Sequence, residues 1–396
     1  MTDDQTGGET NGFDKLTTSL HKIVSPGLVV MTLNRGGSSR MRGYQEHFIT
    51  SICQRGESAA SLFGRVAGAV REKNAQVVSQ EVFGIAVGSR ECGDGANVEA
   101  LANAFGGIQA PVTWLENGHD TGFCGTHLWA VSGPAVRPLE LDGRIIGSMF
   151  EDDYAQYCRL GGLLPKDTSR SPSEQTAEVF EQMDLLLQRN GMEFSHVIRT
   201  WFYNDNILDW YDEFNGVRND FFRKKRIFEA LLPASTGVGG RNTEGSALAG
   251  GLLAIKPLSK AVRAFAVPSP LQDSATEYGS SFSRAVQLDL PDHSRLYVSG
   301  TASIDPSGKT AHVGVPQAQV KLTMEVVYAI LKSRGMGWDD VKRAMAYFKH
   351  AKYAPIFQKY CAENGLADFP AVIVENDICR DELLFEIEVD AIRPVK

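Results

Sequence analysis

A repeat constrains this chain more than any other feature. Residues 172–203, PSEQTAEVFEQMDLLLQRNGMEFSHVIRTWFY, align without a gap to residues 316–347, PQAQVKLTMEVVYAILKSRGMGWDDVKRAMAY, at a constant offset of 316 − 172 = 144 residues. The alignment pairs Pro172 with Pro316, Gln175 with Gln319, Glu181 with Glu325, Gly191-Met192 with Gly335-Met336, Val197 with Val341 and Arg199 with Arg343. In each copy apolar residues recur at helical spacing, from Val179 to Leu187 and from Leu322 to Leu331. A glycine then ends the helix, and a polar turn leads into an apolar strand. Self-similarity at this scale means one supersecondary unit used more than once.

A fainter copy, ESAASLFGRVAGAVREKNAQVVSQEVFGIAV (57–87), has a helical run from Leu62 to Val70 and a strand from Val82 to Val87, without the Gly-Met turn. Strand-like segments precede each helix: VVMTLN and EHFITSICQ in the first unit, YCRLGGLLP in the second, RLYVSGTASIDPSG in the third. Second helices follow in YDEFNGVRNDFF and APIFQKYCAENG, and then the paired LPASTGVGG (232–240) and FPAVIVEND (369–377). The pattern predicts a loose tail over 1–19, a degenerate first module over 20–128, a second over 129–257 and a third over 258–396, with LSKAVRAFAVPSPLQDSATEYG as the link between the last two.

Composition narrows the function classes. With 43% apolar residues the 396-residue chain can fill more than one core, and its net charge of −8 argues against a nucleic-acid surface, since RKKR (223–226) is the one basic block and reads as a solvated helix end. No apolar run approaches a membrane span and Met1–Asp14 has no leader-like pattern, so the expectation is a soluble, cytoplasmic protein. Six scattered cysteines without a CxxC pattern fit a reducing compartment. HDTGFCGTH (119–127) offers two histidines and a cysteine but no fourth ligand, and STGVGGRNTEG lacks the GK[ST] of a phosphate loop, so neither a metal nor a cofactor is expected.

The third module, with LYVSGTASID, GMGWDDVKRAMAYF, FPAVIV and LLFEIEVDAI, resembles the Rid family, also called YjgF or L-PSP. That resemblance implies an α+β fold of the chorismate-mutase-like type, each module a mixed β-sheet with two helices packed on one face. Three modules in one chain then imply a pseudo-trimer, a monomer or weak homo-oligomer with sites between modules. In the deaminases of this family an arginine follows P-A in the late strand. Here Ser235 and Val372 stand there, and neither offers the fork that neutralises and orients a carboxylate.

A further resemblance is to the chorismatases, a tandem Rid-like branch. It is carried in order by HVIRTWFY (196–203), LPASTGVGG, YGSSFSRAV (278–286), VSGTASID (298–305) and DICRDELLFEIE (377–388). One departure is PSPLQDSATEYG, which keeps Tyr278 but has none of the arginines that the branch carries before FSRA. The resemblance implies cleavage of the enolpyruvyl ether of chorismate or a related small carboxylate, with release of pyruvate. Glu386 matches the catalytic glutamate, and Cys379, seven residues earlier, matches the cysteine of the branch that forms 3-hydroxybenzoate, where a neighbouring cation such as Arg380 would favour its thiolate.

The residues themselves allow this chemistry. On an alternating strand Glu386 and Glu388 share one face and Phe385 and Ile387 the other, so a closed apolar cavity would make Glu386 an acid near neutrality, whereas an edge strand would leave both carboxylates solvated. Arg199, Arg284 and Arg380 are the candidate carboxylate anchors, although Arg343 at the equivalent repeat position gives Arg199 a structural alternative. Tyr203, Tyr278 and Ser303 could add hydroxyl contacts, and Gly300 could admit a close backbone approach. Two other readings stay open: an imine or enamine deaminase with a relocated anchor, and a binding protein without chemistry.

Overall fold

The computed structural model describes residues 18–36, 43–84, 96–116, 125–242 and 244–395. Its eighteen strands form three six-stranded sheets of one topology. The first contains β1 (Ser19–Ser25), β2 (Leu28–Asn34), β3 (Gln45–Ile52), β4 (Gln76–Phe83), β5 (Val112–Leu115) and β6 (Gly125–Ser132), with helices α1 (Ala59–Glu72) and α2 (Ala96–Phe105). The second contains β7 (Arg137–Leu141), β8 (Arg144–Glu151), β9 (Ala155–Leu163), β10 (Val197–Asn204), β11 (Ala234–Gly239) and β12 (Leu248–Pro257), with α3 (Pro172–Arg189) and α4 (Ile207–Lys224). The third contains β13 (Arg263–Val267), β14 (Ala285–Asp289), β15 (His293–Ala302), β16 (Val341–Phe348), β17 (Ala371–Glu375) and β18 (Phe385–Pro394), with α5 (Pro316–Ser333) and α6 (Ala354–Glu363).

In the third sheet the order is β13-β14-β15-β18-β16-β17, antiparallel except for the last pair, and the other two sheets repeat it strand for strand. The α+β, three-module pseudo-trimer is therefore present, and the first module is complete in topology despite its faint sequence. Two details differ from the sequence reading. Strand β6 carries the first sheet past residue 128 to Ser132, and part of the expected link is the edge strand β13.

Local chemistry explains why the repeated helices start and stop together. Pro172 and Pro316 open α3 and α5, and Ser171 with Glu174 forms a reciprocal capping box on α3. Gly191 and Gly335 both take φ of 68°, the left-handed turn that ends a helix at little steric cost. The apolar faces of α5 and α6 cover one side of the third sheet, burying Val320, Met324, Ile330 and Phe357 against Leu296, Ala346, Phe385 and Ile387. Helix α3 covers the second sheet in the same way.

The opposite faces of the sheets meet each other. Phe83, Tyr157, Trp201, Tyr203, Tyr297 and Tyr347 belong to one core that takes residues from all three modules. A cavity of about 50 Å³ lies at this junction, and Glu81 crosses it to Arg159 at 2.7 Å and to Arg343 at 2.6 Å. A second set of buried charges pins the modules together: Arg35 reaches Glu46 at 3.0 Å, Asp152 at 3.0 Å and Asp292 at 2.6 Å, one carboxylate from each module. The RKKR run closes α4, where Arg223 pairs with Asp220 and Lys225 with Asp184. Among the described residues no helix is long and apolar enough to cross a membrane. Cys53 is disulfide-bonded, which departs from the expectation of reduced thiols throughout, while Cys158, Cys361 and Cys379 are free.

Candidate active site

Strand β18 is central, with β15 on one side and β16 on the other, so the solvated edge-strand alternative for its carboxylates does not hold. Its alternation sends Phe385, Ile387 and Val389 under the helices, and turns Glu386, Glu388 and Asp390 toward the junction of the modules. All three acids are buried.

Two of them, one pleat apart, meet opposite environments. Glu388 accepts from Arg199 at 2.6 Å, Arg343 at 2.7 Å, Trp201 Nε1 at 3.1 Å and the Thr236 hydroxyl. Burial alone would raise its pKa, but the two guanidiniums outweigh it and hold Glu388 below the usual carboxylate range. Glu386 has no ion pair among the described residues. Burial, reinforced by the negative charge of Glu388 and opposed by Arg199, pushes its pKa up to about 8. The pair is thus split into a fixed anion and an acid that keeps its proton at neutral pH.

Glu386 lines a small cleft of about 50 Å³ between the second and third modules. The third module contributes Ser280, Phe282, Arg284, Gly300, Ala302, Ile304, Cys379 and Arg380, and the second contributes Tyr211 and Arg218 from α4 and Ser235 and Gly237 from β11. A Cβ at Gly300 would lie 2.0 Å from Glu386 Oε1, so the absence of a side chain there makes room for the carboxyl. Arg284 is held by its Nε, which donates to the Asp273 carbonyl at 2.9 Å, and Arg380 by a bond to the Gly308 carbonyl at 2.7 Å.

Five of the residues expected from the sequence therefore come together: Glu386, Cys379, Arg284, Arg380 and Gly300. Three do not. Arg199 is wholly buried and committed to Glu388 and Thr236, the structural alternative that its repeat partner Arg343 shares. Tyr203 is buried in the junction core against Phe83, and Ser303 donates to the Ala311 carbonyl at 3.0 Å. Tyr278 ends a short 3-10 turn, and its side chain lies outside the described residues. His119 and Cys124 also lie outside them, and His127 is spent on Thr50 and on the Ala344 carbonyl, to which its Nε2 donates.

The surroundings of Cys379 work against the thiolate expected beside Arg380. Enclosure pushes the Cys379 thiol up to about 12, Glu386 adds to that, and the opposing effect of Arg380 is smaller, so Arg380 does not deliver a thiolate near neutrality. One missed residue left a trace in the sequence. The buried stripe of α4 runs Ile207, Trp210, Phe214, Arg218, Phe222, and an arginine at a position where the period asks for an apolar residue is a sign of a polar cleft beyond it. Ser235 and Tyr211 left no comparable trace.

The modules occupy equivalent positions but only one cleft carries the acid. Glu386 stands opposite Tyr347, and the same register places Ala249 opposite Tyr203 in the second sheet and Gly125 opposite Phe83 in the first. At Gly125 a Cβ would lie 3.0 Å from Val372 of the third module, and at Gly162 one would lie 2.4 Å from the Val112 carbonyl of the first, so neither position has room for a side chain.

Three α+β modules of one topology in one chain, with the Glu386 cleft between the second and third, define the class. A 3-hydroxybenzoate synthase of Streptomyces hygroscopicus is 27% identical over 245 residues, 54% of this chain and 68% of the relative. A chorismatase of the same organism is 23% identical over 252 residues, 58% and 70% of the two chains. A solved chorismatase structure superposes with a TM-score of 0.61, covering 87% of this chain and 98% of the other at 18% identity, which shows a common fold. No protein-family model matches the chain. The chain is a homologue of the two Streptomyces proteins, in agreement with the resemblance read from its five motifs.

Proposed function

We propose that the chain is a chorismatase-like enzyme that cleaves the enolpyruvyl ether of chorismate or a related small carboxylate. The observation that carries this reading is the neutral Glu386 carboxyl in a cleft lined by Arg218, Arg284 and Arg380. The guanidiniums are suited to hold and orient the carboxylates of the substrate. Glu386 donates its proton to the methylene carbon of the enol ether, leaving an oxocarbenium ion whose positive charge the new Glu386 carboxylate stabilises. Water adds to the oxocarbenium carbon and returns a proton to Glu386. The resulting hemiketal breaks its C–O bond to give pyruvate and the ring alcohol. The thiol form of Cys379 favours a role in shaping the ring pocket over nucleophilic attack.

The chain would act as a single pseudo-trimer in the cytoplasm, on a soluble metabolite and without a cofactor. The deaminase alternative is disfavoured by Ser235 in the cleft wall and by Val372, which packs against Gly125. The test is incubation of the purified protein with chorismate, with pyruvate followed through lactate dehydrogenase and aromatic products by chromatography. Pyruvate release by the wild type and its loss in Glu386→Gln are expected. No release from chorismate at micromolar enzyme would overturn chorismate as substrate.

A further inference from the structure

The cleft wall leaves one residue of its machinery out of view. Thr236 sits on β11 of the second module, beside but not in the cleft lining, and its hydroxyl is saturated by three bonds. It accepts from Arg199 Nη2 at 2.6 Å and from the Gly300 backbone N–H at 3.1 Å, and it donates to Glu388 Oε2. Its methyl carbon lies 3.3 Å from where a Gly300 Cβ would be, and Glu386 Oε1 lies 2.0 Å from that same point. One hydroxyl of the second module thus ties together the fixed anion of the third module and the backbone segment against which the acid rests.

We propose that Thr236 is a positioning residue for the acid: by engaging both Glu388 and the Gly300 amide across the module boundary, it fixes the backbone segment against which the Glu386 carboxyl rests and occupies the amide of that segment. The argument is one of competition. The Glu386 carboxyl abuts the Cβ position of Gly300, and an amide released there to turn toward the carboxyl would favour its ionised form. Thr236 consumes that donor. It also gives its own proton to Glu388, which with Arg199 and Arg343 secures the negative charge next to Glu386.

Other groups face Glu386 as well. Arg199 from β10 and Glu388 from β18 act on it directly, and both lose a bond when the hydroxyl is removed, while Tyr347 of β16 stands opposite it in the sheet. Cys379 and Arg380 come from the segment before β18, Arg284 from the segment before β14, and Tyr211 and Arg218 from α4. The bonds of Thr236 go to Arg199, Gly300 and Glu388, so a variant at 236 reads their joint effect on Glu386.

The inference rests on Glu386 being the acid of the proposed reaction, so the deciding measurement uses no substrate. Protein labelled with carboxyl-13C glutamate is titrated by NMR, with the Glu386 signal identified by its disappearance in Glu386→Gln. In Thr236→Val the hydroxyl is lost at nearly constant volume, and the Glu386 midpoint is expected to fall by about one unit. Thr236→Ser keeps the hydroxyl and is expected to restore it. Thr236→Ala, which adds no bulk, is titrated beside the valine variant in case the latter does not fold. A Glu386 midpoint within about 0.3 units of wild type in either folded variant lacking the hydroxyl overturns the proposal. If pyruvate release is also found, its alkaline limb is expected to move down with the NMR midpoint and to return in Thr236→Ser. A failed activity assay with a shifted NMR midpoint would reject the substrate while leaving the role of Thr236 standing.

Discussion

Replacing either of two glutamates one pleat apart should change stability in opposite directions. The pKa of Glu386 is raised from 4.5 to about 8, so the folded state binds its proton more tightly than the unfolded chain does. The resulting advantage to the fold is complete below the unfolded value and is lost as pH rises from 4.5 through about 8. A shift of that size corresponds to a ceiling of roughly 5 kcal/mol, and relaxation and water entering the cleft bring it to about 2–4 kcal/mol. Glutamine does not titrate, so Glu386→Gln should match wild type near pH 4.5 and exceed it by that amount at pH 8.5 and above. Glu388→Gln should cost about 3–5 kcal/mol at neutral pH, because it removes the charge that Arg199 and Arg343 are buried to meet. Urea unfolding at pH 5, 7 and 8.5 at fixed ionic strength reads both. A Glu386→Gln gain that does not grow with pH, or a loss at pH 8.5, would show that Glu386 is not an uncompensated buried acid. The catalytic reading would then lose its physical basis.

The same geometry fixes other outcomes. With its thiol pushed up to about 12, Cys379 should react with iodoacetamide at pH 7.5 at least tenfold more slowly in the native protein than after unfolding, as read by mass spectrometry of its peptide. Gly300→Ala places a methyl group 2.0 Å from Glu386 Oε1 and should reduce pyruvate release on the order of 100-fold by displacing the acid, while secondary structure by circular dichroism stays native. Arg35→Ala removes the group that joins one carboxylate of each module and should cost about 3–5 kcal/mol, visible as a lower urea midpoint and faster proteolysis. Glu46, which Arg295 and Arg35 hold at about 2 against its burial, contributes stability above its unfolded value that is lost as pH falls from 4.5 toward 2. The loss of stability between pH 6 and pH 3, read by urea unfolding, should therefore be smaller in Glu46→Gln than in the wild type.

What the sequence revealed follows what its periods can encode. Helices α3 and α5 with their Gly-Met turns were legible because cap, period and stop signal agree, whereas the first module lacks that turn and read as degenerate although its topology is complete. Strand β13, with five residues beside Pro and Ser, was indistinguishable from a link. The alternation of FEIEVD gave the faces of β18 correctly, yet an acidic face reads as solvated, and only packing of three sheets against one another buries it. Arg199 could be placed with Glu388 only in three dimensions, although its match to Arg343 was the available hint. Arg218 interrupted an apolar stripe and could have been found, but Thr236, Ser235 and Tyr211 depend on contacts across a module boundary that no local pattern records.

The unequal clefts lead to a last prediction about stoichiometry. A pseudo-trimer built from equal modules would offer three intermodule sites, yet the register position of Glu386 is Ala249 in the second sheet and Gly125 in the first. Neither residue can donate a proton. The room at the equivalent positions is gone as well, since Val372 fills the position beside Gly125 and the Val112 carbonyl abuts Gly162, the position on β9 that corresponds to the bulge at Gly300 on β15. Reopening a seam would require moving backbone as well as exchanging a side chain, which a small carboxylate cannot drive at ordinary affinity. Calorimetric titration with a non-cleavable dicarboxylate analogue of the enol ether should therefore give one site per chain, and Arg380→Ala should abolish that heat completely. A stoichiometry above one, or residual saturable heat in Arg380→Ala equal to that of wild type, would mean that a second seam opens in solution and that Glu386 does not mark the ligand site.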